Sequence, residues 1–513
     1  MSSPLDRRRA GVLLHPTSLP PGPAGGVLGD SALRFVDLIA DAGFSVWQML
    51  PVGPVDASRS PYSSKSSFAG NPGLIDLAEA GREHAVEPEE LGLAAVRRHE
   101  AFEPFLEASA AWLLPWAEYA LRRERHGRTP WWEWPAEPGV VGVPGVLGAP
   151  GVLGAPGVLG APGVLGVPAG VGMPGLDPSS VGRDTLLARA EAEPALGELI
   201  ATQFLFDLQW QRLRRHAQAR GVALFGDLPF YTDHDSADTW AERNVFALDA
   251  AGQPEAVAGV PPDYFSAEGQ LWGNPLFDWE GQREQVFDWW RRRLAVQLAR
   301  FDLLRLDHFR ALEAHWAVPA GAETAREGHW RPTPGHALLG HLQATLGTLP
   351  LVAEDLGTIT PEVLALRDAF ELPGMLVLQF AFDGSPDNPY LPAHHAANAV
   401  VYTGTHDNDT TLGWYDSLDD HTRGLVQAAL EPYRSPGGED RFAMPETLIR
   451  CAYASPARLA VIPMQDLLGL GAEARMNVPG VAEGNWRWTF EWPQVNSEFR
   501  ARWHRLADEF GRC

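Results

Sequence analysis

The sequence predicts an α/β fold, a (β/α)8 TIM barrel carrying inserted subdomains, from three observations. Eight short apolar runs bounded by Pro, Gly or polar residues alternate with stretches of helical periodicity, the order a parallel barrel requires. Five of those runs give way to an acid on their C-terminal side, at Asp227, Asp307, Glu354, Asp407 and Asp466, which is the face where barrel active sites form. None of the runs leads into the glycine-rich phosphate turn that marks a doubly wound open sheet.

In chain order the runs are GVLLHPTS from Gly11, FSVWQMLPV from Phe44, VALFGDLPF from Val222, FDLLRLDHF from Phe301, LVAEDLG from Leu351, GMLVLQFAFD from Gly374, AVVYTGTHD from Ala399 and RLAVIPMQD from Arg458. Amphipathic segments lie between them, beginning at Ser31, Gln285 and Pro361 and around 445–454. The fourth run ends abruptly in Arg305, Asp307 and His308. Strand alternation puts Arg305 and Asp307 on one side, so a permanent cation holds the carboxylate ionised where it meets a substrate.

One catalytic domain is expected over 1–513, interrupted twice. The gap between the second and third runs is too long for a single crossover, so about 54–221 holds an insertion. It opens with SPYSSKSSFAGNPGL from Ser60, a Ser, Gly and Pro-rich loop exposing Tyr62. Helical material spans about 99–126, WWEWP follows from Trp131, and helix resumes from Asp184 to about Arg220. From 139 to 175 the chain is low-complexity, with GVLGAP repeating at Gly145, Gly151 and Gly157 and GVLGVP at Gly163. Regular Pro and Gly exclude helix and a continuous ladder, and a surface excursion is favoured over a short hexapeptide β-helix.

The second excursion, about 231–279, concentrates Tyr264, Phe265, Trp272 and Trp279 among Gly and Pro. Aromatic rings beside amides and carboxylates suit sugar faces, so it reads as an aromatic active-site loop; the alternative is an Ω-loop packed on its own rings. A further Gly, Pro and Trp loop, ARMNVPGVAEGNWRW from Ala474, precedes a C-terminal helix.

A formal charge of -24 and a pI near 5.0 argue against nucleic acid or an anionic membrane as partner and fit action on neutral molecules. Cys451 and Cys513 give no disulfide framework, and the apolar stretch after Arg7 to Arg9 is too short for a signal peptide, so a cytoplasmic location is expected. Nineteen tryptophans suggest an aromatic ligand groove.

Paired carboxylates of different acidity suit glycosidic bond cleavage. Asp307, beside Arg305 and His308, suits the nucleophile. Glu354, with hydrophobic neighbours and Asp355 beside it, suits the general acid, and Asp407, next to His406, suits stabilisation of an oxocarbenium-like state. Metal binding by His15, His308 and His406 is disfavoured, since no run carries two histidines; no cofactor is expected. A serine nucleophile lacks its G-x-S-x-G turn.

The motifs GDLPFY from Gly226, GVPPDYFSAEGQLWGNP from Gly259, RLDHFR from Arg305, AEDLG from Ala353, VYTGTHDNDTTLGWY from Val401 and IPMQDLLGLGAEARMN from Ile462 resemble, in order and over nearly the whole chain, the amylomaltase family of 4-α-glucanotransferases in the α-amylase clan. The resemblance implies a barrel without a C-terminal β-domain and disproportionation of α-1,4-glucans such as maltooligosaccharides. It makes Asp307 the nucleophile, Glu354 the acid/base and Asp407 the transition-state stabiliser. It further implies that Tyr62, Asp227, Arg305, His308 and His406 hold the sugar at the cleavage point. Tyr264, Phe265, Gln270 and Trp272 then cover the acceptor side, and Asn477 lies near the donor end. The GVLGAP tract departs from the family pattern, and VDASRS before Pro61 lacks an aromatic that some members carry. An α-1,4-glucan hydrolase is the close rival, and a non-catalytic glucan-binding protein is the alternative from another class.

Overall fold

The computed structural model describes residues 4–22, 25–135, 181–262, 266–435, 443–481 and 483–513. The GVLGAP tract, Tyr264 and Phe265 lie outside them.

Eight strands form one parallel sheet: β1 Arg9–Leu13, β2 Val46–Gln48, β3 Ala223–Leu228, β4 Leu303–Leu306, β5 Leu351–Ala353, β6 Gly374–Val377, β7 Ala399–Tyr402 and β8 Leu459–Pro463. Each falls within one of the eight apolar runs or begins up to two residues before it. Their order is β6-β7-β8-β1-β2-β3-β4-β5, and the Ala353 N–H donating to Pro373 O at 2.8 Å closes β5 onto the start of β6. The result is a (β/α)8 barrel. Strands covered on both faces read as continuous apolar runs, and β7 and β8 are buried at every position.

Successive side chains point to opposite faces, and that period positions the site. Phe225, Leu303, Val352, Val400 and Val461 fill the barrel interior, while Leu224, Leu304, Leu306, Ala353 and Val401 face the surrounding helices. Two residues further along the interior line, Phe225 leads to Asp227, Leu303 to Arg305 and Val352 to Glu354. Ionisable groups thus take the inward positions where the strands open at their C-terminal ends.

The outer layer contains α1 Asp30–Asp41, α2 Phe102–Arg125, α3 Arg183–Ala192, α4 Pro194–Ala219 and α5 Arg283–Arg300. α5 buries Trp289 and Trp290 completely; truncating either would cost about 3–5 kcal/mol. α2, α3 and α4 lie between β2 and β3, and two buried glutamines of α4 pin the loop that opens this stretch. Gln203 exchanges hydrogen bonds with Gly70 N and O at 2.8 and 2.9 Å, and Gln209 does the same with Asp76 at 2.9 Å each. Buried Lys65 adds an ion pair to Asp233 at 2.9 Å. The loop bearing Tyr62 is therefore fixed from below.

The second excursion differs from its sequence reading as a loop. Ala256–Val260 and Gln270–Pro275 form a hairpin in a four-stranded antiparallel sheet, completed by Ala314–Pro319 and His329–Pro332 from the β4 to β5 connection. Gly269, at φ 67°, makes the turn into the edge strand, where a Cβ would meet Val260 O at 2.3 Å. The strands are short, and the aromatics masked their alternation. Among the described residues, no helix is long and apolar enough to cross a membrane.

Candidate active site

Arg305 organises the mouth. Its Nη1 donates to both oxygens of Asp227 at 2.9 Å each, and its Nη2 lies 2.8 Å from Asp307 Oδ1. Burial opposes the guanidinium charge, but the Asp227 and Asp307 carboxylates outweigh it. One fixed cation therefore holds a fully buried acid and a partly open one. Asp227 also accepts the Tyr62 hydroxyl at 2.7 Å, and burial followed by the Asp227 charge pushes the Tyr62 phenol far above its ordinary range. That phenol stays protonated and acts as a donor.

Tyr62 continues the network. Its oxygen lies 2.9 Å from His406 Nε2, and the two rings stack at 5.4 Å and 19°. His406 Nε2 is 3.3 Å from Asp407 Oδ2, while Asn477 Nδ2 donates to Asp407 Oδ1 at 2.6 Å. Arg475 Nη2 donates to Asp407 O at 2.7 Å. Asp407 is exposed to the cleft, with both carboxylate oxygens partnered.

Glu354 approaches from the neighbouring strand. Its Oε2 accepts the His308 backbone N–H at 2.7 Å and its Oε1 that of Leu356 at 3.1 Å. Burial pushes this carboxyl up to about 8; Arg305 opposes the shift and the Asp307 charge adds to it. Asp355 does not contribute as its position beside Glu354 led us to expect. Its carboxylate turns away to Arg367 Nη1 at 2.6 Å and Met375 N at 2.8 Å.

His308 takes a left-handed backbone, φ 52° and ψ 50°, which turns the chain sharply after Asp307. Its ring meets Trp272 edge-on at 4.8 Å, and burial holds the imidazole neutral, down to about 4. Trp272 Nε1 donates to Gln270 Oε1 at 3.1 Å, and both side chains are exposed on the edge strand of the inserted sheet. Tyr231 packs against both His308 and Trp272.

Asp466 does not join the cleft. It is 1% exposed, accepts Thr403 and Thr411 hydroxyls at 2.6 Å each and Thr411 N at 2.7 Å, and so ties the end of β7 to the helix that follows. Its place after β8 copied that of a site acid, but three donors satisfy it below the mouth. Tyr231, Arg475 and Trp486 escaped the sequence reading, although the aromatic and Gly-rich stretches that contain them had been singled out. Among the described residues no group of three or more His, Cys, Asp or Glu side chains is arranged to hold a metal ion.

The family profile described as 4-alpha-glucanotransferase matches residues 14–96 and 184–494. The chain belongs to that family. The unmatched stretch between contains the GVLGAP tract. The 4-alpha-glucanotransferase of Thermus thermophilus is 40% identical, over 98% of this chain and 98% of its own. That of Synechocystis is 38% identical, over 99% of each. Among solved structures, the amylomaltase of Streptococcus agalactiae in complex with acarbose aligns with a TM-score of 0.83 at 28% identity, covering 99% of this chain and 100% of its own. The amylomaltase of Corynebacterium glutamicum, at 19% identity and a TM-score of 0.71, shares the fold over 99% of this chain and 76% of its own.

Proposed function

We propose that this glucanotransferase moves α-1,4-glucan segments between maltooligosaccharides or starch-type glucans by a retaining double displacement. The observation that carries the mechanism is the pairing of unlike carboxyls on adjacent strands. Asp307 is ion-paired to Arg305, and Glu354, pushed up to about 8, keeps its proton at neutral pH.

In the first step an Asp307 oxygen attacks the anomeric carbon, and the bond to the departing 4-oxygen breaks as Glu354 gives that oxygen its proton. In the second step the 4-hydroxyl of another glucan attacks the same carbon, Glu354 takes its proton, and Asp307 leaves. Asp407 faces the positive charge that develops on the sugar ring. Tyr62, Asp227, Arg305, His308 and His406 hold the sugar at this point, and Asn477 lies toward the donor end. Gln270 and Trp272 line the acceptor side, with Tyr264 and Phe265 assigned there by family resemblance alone. The acarbose complex of the Streptococcus agalactiae relative supports a sugar ligand.

Water in the second step would give hydrolysis, and an acceptor stacked near Trp272 displaces it. Purified protein incubated with maltotriose should give glucose and a ladder of longer oligosaccharides. Maltose and glucose alone would make the protein a hydrolase. The low-complexity tract is given no catalytic part, and the cytoplasmic location remains an expectation from the sequence.

A further inference from the structure

Trp486 has none of the roles assigned above, yet its surroundings hold it in an unfavourable conformation. Its backbone sits at φ 63°, where a bulky side chain is disfavoured and glycine is at ease. Gly480 and Gly484, in the same stretch of chain, take up φ 79° and 89°. A tryptophan persists there only if its contacts outweigh the strain.

Those contacts are the catalytic rings. The Trp486 ring, 8% exposed, lies 6.1 Å from Tyr62 and 6.0 Å from His406. The Trp486 backbone N–H donates to Met476 O at 2.9 Å, drawing the chain back beside Asn477, which donates to Asp407. Asn485 fastens the turn from within by accepting Val478 N at 3.0 Å and donating to Val481 O at 2.8 Å. The two ends of one turn thus grip Asp407 and the Tyr62–His406 stack together.

We infer that Trp486 is a positioning residue for the transfer reaction, its ring fixing the planes of Tyr62 and His406 so that the Tyr62 oxygen meets Asp227 and His406 meets Asp407. This rests on the glucan-transfer reading. A phenol free to slide sideways keeps its stacking but loses its hydrogen-bond geometry, and small misplacements at a reacting centre are costly. The left-handed backbone aims the indole; a residue with φ below zero would turn it elsewhere.

The same backbone supplies the test, because Trp486→Gly removes the ring from a position that glycine adopts without strain. Wild type, Trp486→Gly and Trp486→Phe are compared in maltotriose disproportionation, with melting temperatures, each also in a Tyr62→Phe background. For Trp486→Gly, kcat should fall roughly 30- to 100-fold while KM moves by less than about 3-fold. Trp486→Phe should restore most of the rate. In the Tyr62→Phe background the glycine substitution should cost clearly less than in wild type, since one of the two contacts the ring protects is already gone.

Wild-type kcat in Trp486→Gly, an effect on KM alone, or an equal loss in both backgrounds would overturn the assignment. If Trp486→Gly melts early, Trp486→Leu fills the space without a ring; parity with Trp486→Phe overturns the role and a lower kcat supports it. A wild type that makes no ladder overturns the transfer reading and this inference with it, whereas a ladder matched by Trp486→Gly overturns this inference alone.

Discussion

Glu354 Oε2 accepts the backbone N–H of His308 at 2.7 Å, which fastens that carboxyl to the residue following Asp307. β4 and β5 pair with Leu306 opposite Ala353, so the two proposed catalytic acids are carried by the ends of neighbouring strands. Their relative placement is set by barrel register, which is stiffer than any loop.

Glu354, raised from an ordinary 4.5 to about 8, gives activity a basic limit. The rate should fall as pH rises through about 8, because the proton-donating form is lost. Glu354→Gln should lower transfer between sugars about 10³-fold and remove this limb. Stability carries the same signature. Below pH 4.5 the carboxyl is protonated folded or unfolded, and wild type and variant differ little in charge. From there to about 8 the unfolded chain ionises first, so wild type loses stability relative to Glu354→Gln, and above about 8 the gap is constant. Thermal melts from pH 4 to 9 measure it; a gap that narrows with rising pH contradicts the assignment.

Arg305→Met should be severely destabilising. It leaves Asp227, whose side chain is fully buried, without its cation, a change that costs about 3–5 kcal/mol. Adding Asp227→Asn should recover part of that loss, as read in denaturant titrations. Additive effects of the two substitutions would mean that the pair is not coupled.

Trp272→Ala should shift the products. The ring stands 37% exposed on the cleft rim, and removing it opens the acceptor side to water. The free-glucose yield from hydrolysis should rise relative to the oligosaccharide ladder, while stability changes by less than about 0.5 kcal/mol. An unchanged product ratio would remove Trp272 from the acceptor side.

Asp466→Asn separates scaffold from chemistry. Losing a carboxylate that accepts three donors should cost about 1–3 kcal/mol of stability, with turnover per folded molecule close to wild type. Asp407→Asn should do the reverse, sparing the melting temperature and lowering kcat.

Much of this was legible because a barrel writes itself locally. Each strand is an apolar run, and a period of two carries Phe225 to Asp227, Leu303 to Arg305 and Val352 to Glu354 without reference to the rest of the chain. Two kinds of information were not local. Whether an acid at a strand end faces the cleft or the scaffold depends on distant donors, as Thr403 and Thr411 decide for Asp466. Likewise, the hairpin of Ala256–Val260 and Gln270–Pro275 extends into a sheet by pairing Ala256–Val260 with Ala314–Pro319, a partner distant in the chain whose own sequence gives no warning. Trp486 is legible to neither rule, since its role depends on a backbone angle.

The most direct measurement is covalent trapping. Glu354→Gln is incubated with a maltosyl fluoride, whose leaving group needs no acid, and digested for peptide mass spectrometry. Without its base the variant should accumulate the glycosyl-enzyme, with the added sugar on the peptide containing Asp307. Sugar on another carboxylate, or fluoride released with no adduct under conditions that quench turnover, would contradict a covalent intermediate at Asp307.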